Sequence, residues 1–318
     1  MTLENAVSAP LTRGQRFTLK ELADVYMACY QKNNVGQGQR LAFFVEQLGG
    51  KVAAEIDGDD IQDALEALRM RGCLLNRGGA TREGVSIVST GRPLAPATIN
   101  RYRSTIQAVL TWAQKRRLMP KGWLNPVRET ELLPVDNSRV RFLSSDEYQR
   151  LLASAKVSYW KKLHVLIKLA VTTGARKGTL LGLRWKDLDL GARRAFVERT
   201  KNGEPFVLVL QGDVADELKS LRRGARDDDL VFCGRSPGKP MNIEKAYYNA
   251  LERAGIEGAV FHTLRHTHAS WLARQGQPLL AIADSLGHKS LAMTQRYAHL
   301  CVDTREAMLA KVFGDKAA

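Results

Sequence analysis

The chain has 318 residues, of which 44% are hydrophobic and 25% charged, a balance that excludes an intrinsically disordered or membrane-embedded protein. Its 48 lysines and arginines outnumber its 33 aspartates and glutamates, and the net charge of +15 predicts a polyanionic partner such as nucleic acid. No signal segment opens the chain, and the longest apolar stretch is too short to span a bilayer, so we expect a cytoplasmic protein without membrane contact. The four cysteines have no paired spacing, which predicts neither a disulfide framework nor a zinc knuckle.

The first part of the chain is predicted to be a flexible N-terminus, residues 1–17, followed by a small, mainly helical domain, residues 18–126. Thr18 and Glu21 have the spacing of a capping box and open the first helix. Apolar residues recur at helical intervals in three stretches, residues 19–30, 61–68 and 99–113. A Gly-rich piece between the last two, residues 78–93, carries a short β-branched run that favours a small hairpin or a loop.

The second part of the chain begins after residues 127–140, which carry charges and proline without an apolar period and are interpreted as an interdomain linker. Ser144 and Glu147 repeat the capping-box spacing at the start of a second domain, residues 141–318. Its helices are predicted at residues 160–173, 214–222, 243–254 and 263–275. The second domain is therefore expected to be helix-rich as well.

One pair of strands is predicted inside the second domain, at residues 195–200 and 205–210. The turn between them contains Asn202 and Gly203, and Asn-Gly between two β-prone runs is the strongest short hairpin signal. Lys201 stands at the tip of this turn, from where an ammonium group can reach into a groove. The expected fold class is mainly α, in two domains, with a small β-hairpin in the second.

Groups suited to phosphate chemistry gather in the second domain. His262 and Arg265 are three residues apart, so both point to the same side of a helix. His288 follows a predicted helix stop, and Tyr297 comes in the next helical stretch. Arg176 follows the end of an apolar helix, and the planar fork of an arginine matches two phosphate oxygens. These residues predict a single pocket that binds a phosphate group.

In order and spacing, the set resembles the active-site signature of tyrosine recombinases, which include phage integrases and Xer-like resolvases. The resemblance rests on Arg176, Lys201 and the segments 262–266 (His-Thr-Leu-Arg-His), 286–288 (Leu-Gly-His) and 294–297 (Thr-Gln-Arg-Tyr). It covers the whole second domain, and the first domain looks like the family's helical, SAM-like core-binding domain. Many relatives carry a glutamate three residues after the first arginine, where this chain has Thr179, which puts the bracing of the pocket in question.

The resemblance implies a site-specific DNA recombinase, an integrase that works through a Holliday junction. Tyr297 would attack the scissile phosphate, forming a 3′-phosphotyrosyl bond and releasing a 5′-hydroxyl, so that neither metal, ATP nor another cofactor is expected. His262 would be the base that assists the phenol, whose ordinary pKa is near 10. Lys201 would protonate the departing oxygen. The charge on the phosphorus would be stabilised by Arg176, Arg265 and His288.

The same resemblance implies a two-domain clamp around double-stranded DNA and assembly to a tetramer on it. Residues 303–313 form an amphipathic pattern, and we expect this tail helix to dock on a neighbouring subunit. Accessory directionality or DNA-bending proteins are further possible partners. A basic face of the first domain is expected to grip DNA, although a solvated face would show the same pattern: Arg101, Arg103, Lys115, Arg116 and Arg117.

Two other functions fit the same residues. A type IB topoisomerase-like relaxase would share the phosphotyrosine step, whereas a non-catalytic DNA-binding regulator would have kept the fold alone. A zinc site at His262, His266 and His268 is disfavoured because no cysteine or carboxylate joins them at ligand spacing. His266 and His268 are expected to pack or to face solvent, with a supporting position beside the pocket left open for His266.

Overall fold

The chain divides into two compact units, Met1–Asp136 and Asn137–Ala318. The computed structural model describes residues 16–30, 35–76, 87–135, 141–197, 205–301 and 314. Three predicted features lie outside the described residues: most of the N-terminus, the turn that carries Lys201, and the tail helix at residues 303–313. In the described part both units are mainly helical, as the sequence predicts.

The first unit contains four described helices around one apolar core. They are α1 (Leu19–Ala28), α2 (Val35–Leu48), α3 (Gly58–Arg71) and α4 (Pro96–Lys115). The predicted capping box opens α1, with the Thr18 hydroxyl accepting from the Glu21 backbone and the Glu21 carboxylate accepting from the Thr18 backbone. Two short strands, β1 (Leu74–Asn76) and β2 (Ile87–Ser89), pair in antiparallel fashion, so the part of the Gly-rich piece at residues 87–89 is a strand whose partner lies before that piece.

The sequence did not predict α2, for a physical reason. Gly36 and Gly38 occupy its first turns, and glycine is a weak helix former. Leu41, Phe43 and Phe44 are nevertheless buried in the core, where α2 packs against α1 and α4. Tertiary packing stabilises this helix in spite of its low intrinsic propensity.

The predicted linker spans residues 127–140, but its first part packs in the first unit, which extends to Asp136. Pro126–Glu129 form a 3₁₀ helix in which Val127 is fully buried against the core. Arg103 of α4 donates to the Val127 carbonyl at 2.6 Å and to the Thr130 hydroxyl at 2.8 Å. Two adjacent buried residues in a short 3₁₀ helix, Pro126 and Val127, produce no apolar period, which explains why the sequence pattern missed this packing.

The second unit contains seven described helices, with α6 at their centre. They are α5 (Ser145–Lys156), α6 (Leu163–Thr173), α7 (Lys177–Gly182), α8 (Gly212–Leu221), α9 (Glu244–Arg253), α10 (Phe261–Arg274) and α11 (Leu279–Leu286). α6 is apolar on nearly all sides and packs against α5, α8 and α10. Its one lysine, Lys168, pairs with Asp213 at 2.5 Å and Glu217 at 2.6 Å, so its charge is neutralised at the rim of the core.

A three-stranded antiparallel sheet stands beside these helices. Its strands are β3 (Leu188–Asp189), β4 (Arg194–Val197) and β5 (Phe206–Val209), in that order. Ala195 pairs with Leu208, and both are buried against the helices. The predicted hairpin is thereby confirmed in its strands, while β3, two residues long, is too short to leave a sequence pattern.

Two left-handed glycines end the helices that surround the candidate site. Gly174 (φ 63°) ends α6 and Gly287 (φ 60°) ends α11, both as predicted. Gly174 also lies in close contact with other elements, since a Cβ built on it would lie 2.6 Å from Cδ2 of His268 and 2.8 Å from Cδ2 of Leu286. A side chain at this position is therefore excluded both by backbone conformation and by space.

Gly174→Ala tests this close packing against Gly255→Ala, which has the same φ of 63° but no atom within 4 Å of its built Cβ. The left-handed conformation costs each variant about 1–2 kcal/mol of unfolding free energy. Gly174→Ala is expected to lose a further amount of about 1–3 kcal/mol through overpacking. Denaturant unfolding followed by tryptophan fluorescence measures both losses, and equal losses would contradict the prediction.

Candidate active site

Arg265 is nearly buried, at 5% exposure, although it carries a positive charge. From α10 its Nη1 donates to the Gly174 carbonyl at 2.7 Å and its Nη2 to the Leu286 carbonyl at 2.8 Å. These carbonyls belong to the C-terminal ends of α6 and α11, where the helix dipole favours a cation. The two bonds fix the plane of the guanidinium and leave its remaining N–H groups for a ligand.

Arg176 reaches the same place from another element. It directly precedes α7, with extended backbone, two residues after the left-handed Gly174. Its side chain is half-buried and borders a cavity that Arg265 also lines. The end of α6 therefore positions both arginines. Arg176 follows it in sequence, and Arg265 donates a hydrogen bond to the carbonyl of Gly174, which ends it.

His288 is oriented by a hydrogen bond on one side of its ring. It follows Gly287, and its backbone N–H donates to the Ala283 carbonyl at 2.9 Å. Its Nδ1 lies 2.8 Å from the hydroxyl of Thr294, a fully buried residue. Because Nδ1 is occupied, Nε2 is the ring nitrogen that is left to face a ligand.

Tyr297 lies in the 3₁₀ helix Gln295–Cys301 and is 2% exposed. Its ring packs in an apolar cluster that includes Ala269, Ile282 and Leu286. Its hydroxyl is 2.6 Å from Nδ1 of His266. The ring of Tyr297 is thus fixed by apolar packing, and its hydroxyl lies within hydrogen-bond distance of the His266 imidazole.

Five of the six predicted catalytic residues border one cavity of about 120 Å³. The lining residues are Arg176, His262, Arg265, His266, His288, Met293, Arg296 and Tyr297. An adjoining cavity of about 240 Å³ shares Arg176, Arg265 and His288 and is also lined by Thr179. Together the cavities form a positively charged recess that a phosphate group fits.

The sixth predicted catalytic residue, Lys201, lies outside the described residues. Pro205 and Phe206 follow its turn in sequence, and both line the larger cavity. The described start of β5 therefore borders the site that contains Arg176.

Three lining residues were not assigned to the site from the sequence: Met293, which is apolar, and the ionisable Arg296 and His266. Arg296 directly precedes the predicted nucleophile, which was the available signal for it. His266 follows His262 by four residues and so shares its face of α10, and this spacing had left a supporting position open. The hydrogen bond to Tyr297 now places His266 in the site.

The electrostatics of the recess disfavour positively charged imidazoles. Burial, together with repulsion from the neighbouring positive groups, lowers the pKa of His266 and of His288 to about 4. Partial desolvation and the nearby arginines also lower the pKa of His262. Burial raises the pKa of the Tyr297 phenol, against the opposing influence of Arg296 and Arg265. At neutral pH the recess thus combines charged guanidinium groups, neutral imidazoles and a protonated phenol.

His268 plays a structural part on the same helix. Its Nδ1 lies 2.8 Å from the Val171 carbonyl and its Nε2 lies 2.7 Å from the Ser285 hydroxyl, so it connects α6, α10 and α11. Within the described ranges, no cluster of three or more histidine, cysteine or carboxylate residues is arranged to hold a metal ion. Nor is any helix in those ranges both long and apolar enough to cross a membrane.

Comparison with known families adds independent information on the second unit. The sequence profile of the phage integrase family matches residues 141–303, slightly more than half of the chain. The chain therefore belongs to the phage integrase family. It is a tyrosine recombinase, and thus a site-specific DNA recombinase.

Individual relatives of this recombinase include phage integrases and Xer recombinases. It is 26% identical over 281 residues to the integrase of Salmonella phage P22, covering 82% of this chain and 70% of that protein. It is 28% identical over 184 residues to the tyrosine recombinase XerA of Saccharolobus solfataricus, covering 57% of this chain and 60% of that protein. Its fold resembles the Tn1549 transposon integrase in complex with transposon right end DNA, with a TM-score of 0.70, 16% identity, and coverage of 93% of this chain and 100% of that one.

The basic residues predicted to grip DNA differ in their surroundings. Arg101 and Lys115 are exposed on α4, and Arg117 is exposed with a positive φ of 59°. Arg116 stacks over the ring of Trp112 at 5.2 Å. Arg103, by contrast, turns back onto its own unit through the bonds to Val127 and Thr130. Nε and Nη2 of the Arg103 guanidinium are therefore already hydrogen-bonded within the first unit, unlike the exposed Arg101, and a contact of Arg103 with DNA stays a prediction.

The depressed histidine pKa values predict an acid-sensitive second unit. Unfolded histidines bind protons below about pH 6.5, whereas His266 and His288 in the fold stay neutral down to about pH 4. The unfolding free energy should therefore fall as the pH drops through this window. Denaturant unfolding at a series of pH values should show a shallower fall in the double variant His266→Gln, His288→Gln, and parallel curves for the two proteins would contradict the assignment.

Proposed function

We propose that this recombinase is an integrase that cleaves and rejoins duplex DNA through a covalent bond from Tyr297 to a backbone phosphate. The observation that carries the proposal is the convergence of Arg176, Arg265, His288 and Tyr297 on one small cavity. Two guanidinium groups there can hold the two non-bridging oxygens of a phosphodiester. Tyr297 lies at the wall of the same cavity, and so these four groups come from a single subunit.

The proposed reaction is a transesterification. The Tyr297 hydroxyl gives its proton to an imidazole of the recess as its oxygen bonds to phosphorus, the bond from phosphorus to the 5′-oxygen breaks, and that oxygen takes a proton from Lys201. Religation reverses each step with a new 5′-hydroxyl. Because the phosphotyrosine conserves the energy of the phosphodiester, the cycle requires no nucleotide.

Stabilisation of the transition state falls to groups that are already oriented. Arg265 is held by the ends of α6 and α11, and His288 by the Thr294 hydroxyl, which would donate to Nδ1 and leave an N–H at Nε2. His262, exposed beside them, would contact a further phosphate oxygen. Donors that are already oriented need little reorganisation as negative charge develops on the phosphate. Removal of one such donor typically slows a reaction about 10²–10³-fold.

DNA is the proposed partner of both units. The net charge of +15 and the exposed Arg101, Lys115 and Arg117 of the first unit support a clamp in which each unit contacts phosphates. The relative of similar fold described above is a complex with transposon right end DNA. Integration needs cleavage of two duplexes, so we also propose a tetramer on DNA and a Holliday junction intermediate, with accessory proteins setting direction.

Trapping of a covalent adduct tests the chemistry. A library of nicked duplexes of randomised sequence, in which cleavage releases a short fragment, should yield a protein–DNA adduct that is stable in detergent, also in the presence of EDTA. Sequencing the trapped DNA gives the site. Tyr297→Phe should bind DNA but form no adduct, because it lacks only the nucleophilic oxygen.

The outcome of the trapping experiment separates the three functions. An adduct lost in Tyr297→Phe excludes the non-catalytic regulator, and no adduct with the unaltered protein would contradict the proposal. Strand exchange between two differently labelled duplexes carrying the recovered site distinguishes the integrase from a topoisomerase-like relaxase, which would only relax supercoiled DNA.

Arg101 and Arg103 form a matched pair for the DNA grip. Arg101→Ala should weaken DNA binding at all sequences and reduce the slope of log affinity against log salt by about one, with unchanged stability. Arg103→Ala should instead lower the unfolding free energy by about 1.5–3 kcal/mol, because it removes hydrogen bonds from a charged donor to Val127 and Thr130. Salt-dependent binding and denaturant unfolding measure the two effects, and interchanged results would contradict the assignment.

A further inference from the structure

His266 contacts the oxygen that would attack the phosphorus. We propose that His266, rather than His262, holds the Tyr297 hydroxyl and accepts its proton during cleavage, an inference that rests on the proposed function above. The distance from Nδ1 of His266 to the phenol oxygen is 2.6 Å, which is within hydrogen-bond length. His266 is the one hydrogen-bond partner of this hydroxyl among the described residues.

The direction of this hydrogen bond follows from the two protonation states. The phenol is protonated at neutral pH, since burial raises its pKa above the ordinary value near 10. The imidazole is neutral, since burial and neighbouring cations lower its pKa to about 4. The hydroxyl therefore donates to Nδ1, and the ring proton resides on Nε2. This is the arrangement that a general base needs before the reaction starts.

His262 occupies a different position although it lies on the same face of α10. Its ring packs edge-to-face against the ring of His266, with centroids 4.8 Å apart and planes at 88°. It is exposed toward the cavity, whereas His266 is half-buried between His262 and Tyr297. His262 can therefore contact the phosphate or the departing oxygen, whereas His266 contacts the nucleophile.

A bound phosphodiester would make His266 a stronger base at the moment of attack. The charged and titratable groups that lower its pKa come from α10, from the second residue after α11 and from the 3₁₀ helix: His262, Arg265, His288 and Arg296. Arg176, at the start of α7, and Tyr297 line the same cavity. In the free protein the arginines oppose a positive charge on His266. Negative charge on the phosphate, which increases as the phosphorane forms, offsets that repulsion and favours the imidazolium.

The step balances without an external reactant. The O–H bond of Tyr297 breaks and its proton moves to Nδ1 of His266, while the oxygen forms its bond to phosphorus. The 5′-oxygen leaves with a proton from Lys201. On religation the imidazolium returns the proton to the departing Tyr297 oxygen, so His266 acts as base in one direction and as acid in the other.

His266→Asn and His262→Asn form the test pair, since the Asn side chain offers an acceptor near the Nδ1 position but cannot take a proton. The readout is the single-turnover rate of adduct formation on the nicked duplex recovered from the library, measured against pH. The rate of adduct formation by His266→Asn should be at least about 100-fold below that of the unaltered protein at pH 7. It should rise about tenfold per pH unit, because the phenol must then lose its proton to the solvent. His262→Asn should form the adduct more slowly than the unaltered protein, but its rate should depend on pH in the same way.

Chemical rescue provides the second readout. Imidazole added to His266→Ala should restore adduct formation, with rates that increase with the basicity of substituted imidazoles, whereas His262→Ala should show no such dependence. His266→Asn that cleaves within about threefold of wild type with the same pH profile would overturn the proposal. So would a slow variant whose pH profile is unchanged and which imidazole does not rescue, since that result marks a purely structural role. Absence of an adduct with the unaltered protein would instead contradict the proposed function itself.

Discussion

The hydrogen bonds of Arg265 to the ends of two helices are the constraint on which the site depends. Gly174 and Leu286 offer their carbonyls because left-handed glycines end α6 and α11 at these points. Arg176 follows the first of these glycines by two residues, and His288 follows the second directly. One buried guanidinium therefore connects three of the segments that carry catalytic candidates, α10 and the chain after α6 and after α11, and displacement of any of these three would leave a buried charge without its partners.

Burial gives the site its chemical character. A recess lined by three arginines and three histidines would repel protons even if it were open to water. Its desolvation lowers the histidine pKa values further, so the imidazoles enter the reaction neutral. A phosphodiester is the ligand that reverses this balance, because its charge compensates the arginines and its transition state carries more charge than its ground state. The repulsion among the positive groups that line the recess therefore favours the binding of an anion.

Much of this site could be predicted from the sequence because its residues are tied to helix ends and helix spacing. Gly174 and Gly287 mark the ends of α6 and α11, and the step of three residues from His262 to Arg265 sets a common face. The sequence could not decide between His262 and His266 as the partner of the nucleophile. Four residues apart, they share that face, and the choice depends on where the 3₁₀ helix of Tyr297 packs.

The limits of prediction in the first unit have a related cause. Arg103 and Arg101 are two residues apart on one basic helix, yet the 3₁₀ turn after Asn125 folds back to accept hydrogen bonds from Arg103 alone. A charge pattern in the sequence shows that a side chain is cationic, but it does not show whether that side chain already donates a hydrogen bond to a carbonyl. The three histidines of α10 illustrate the same principle, since His268 braces two other helices, His266 meets the phenol and His262 remains exposed. Function in this helix is therefore assigned by the neighbour that each imidazole meets rather than by residue type.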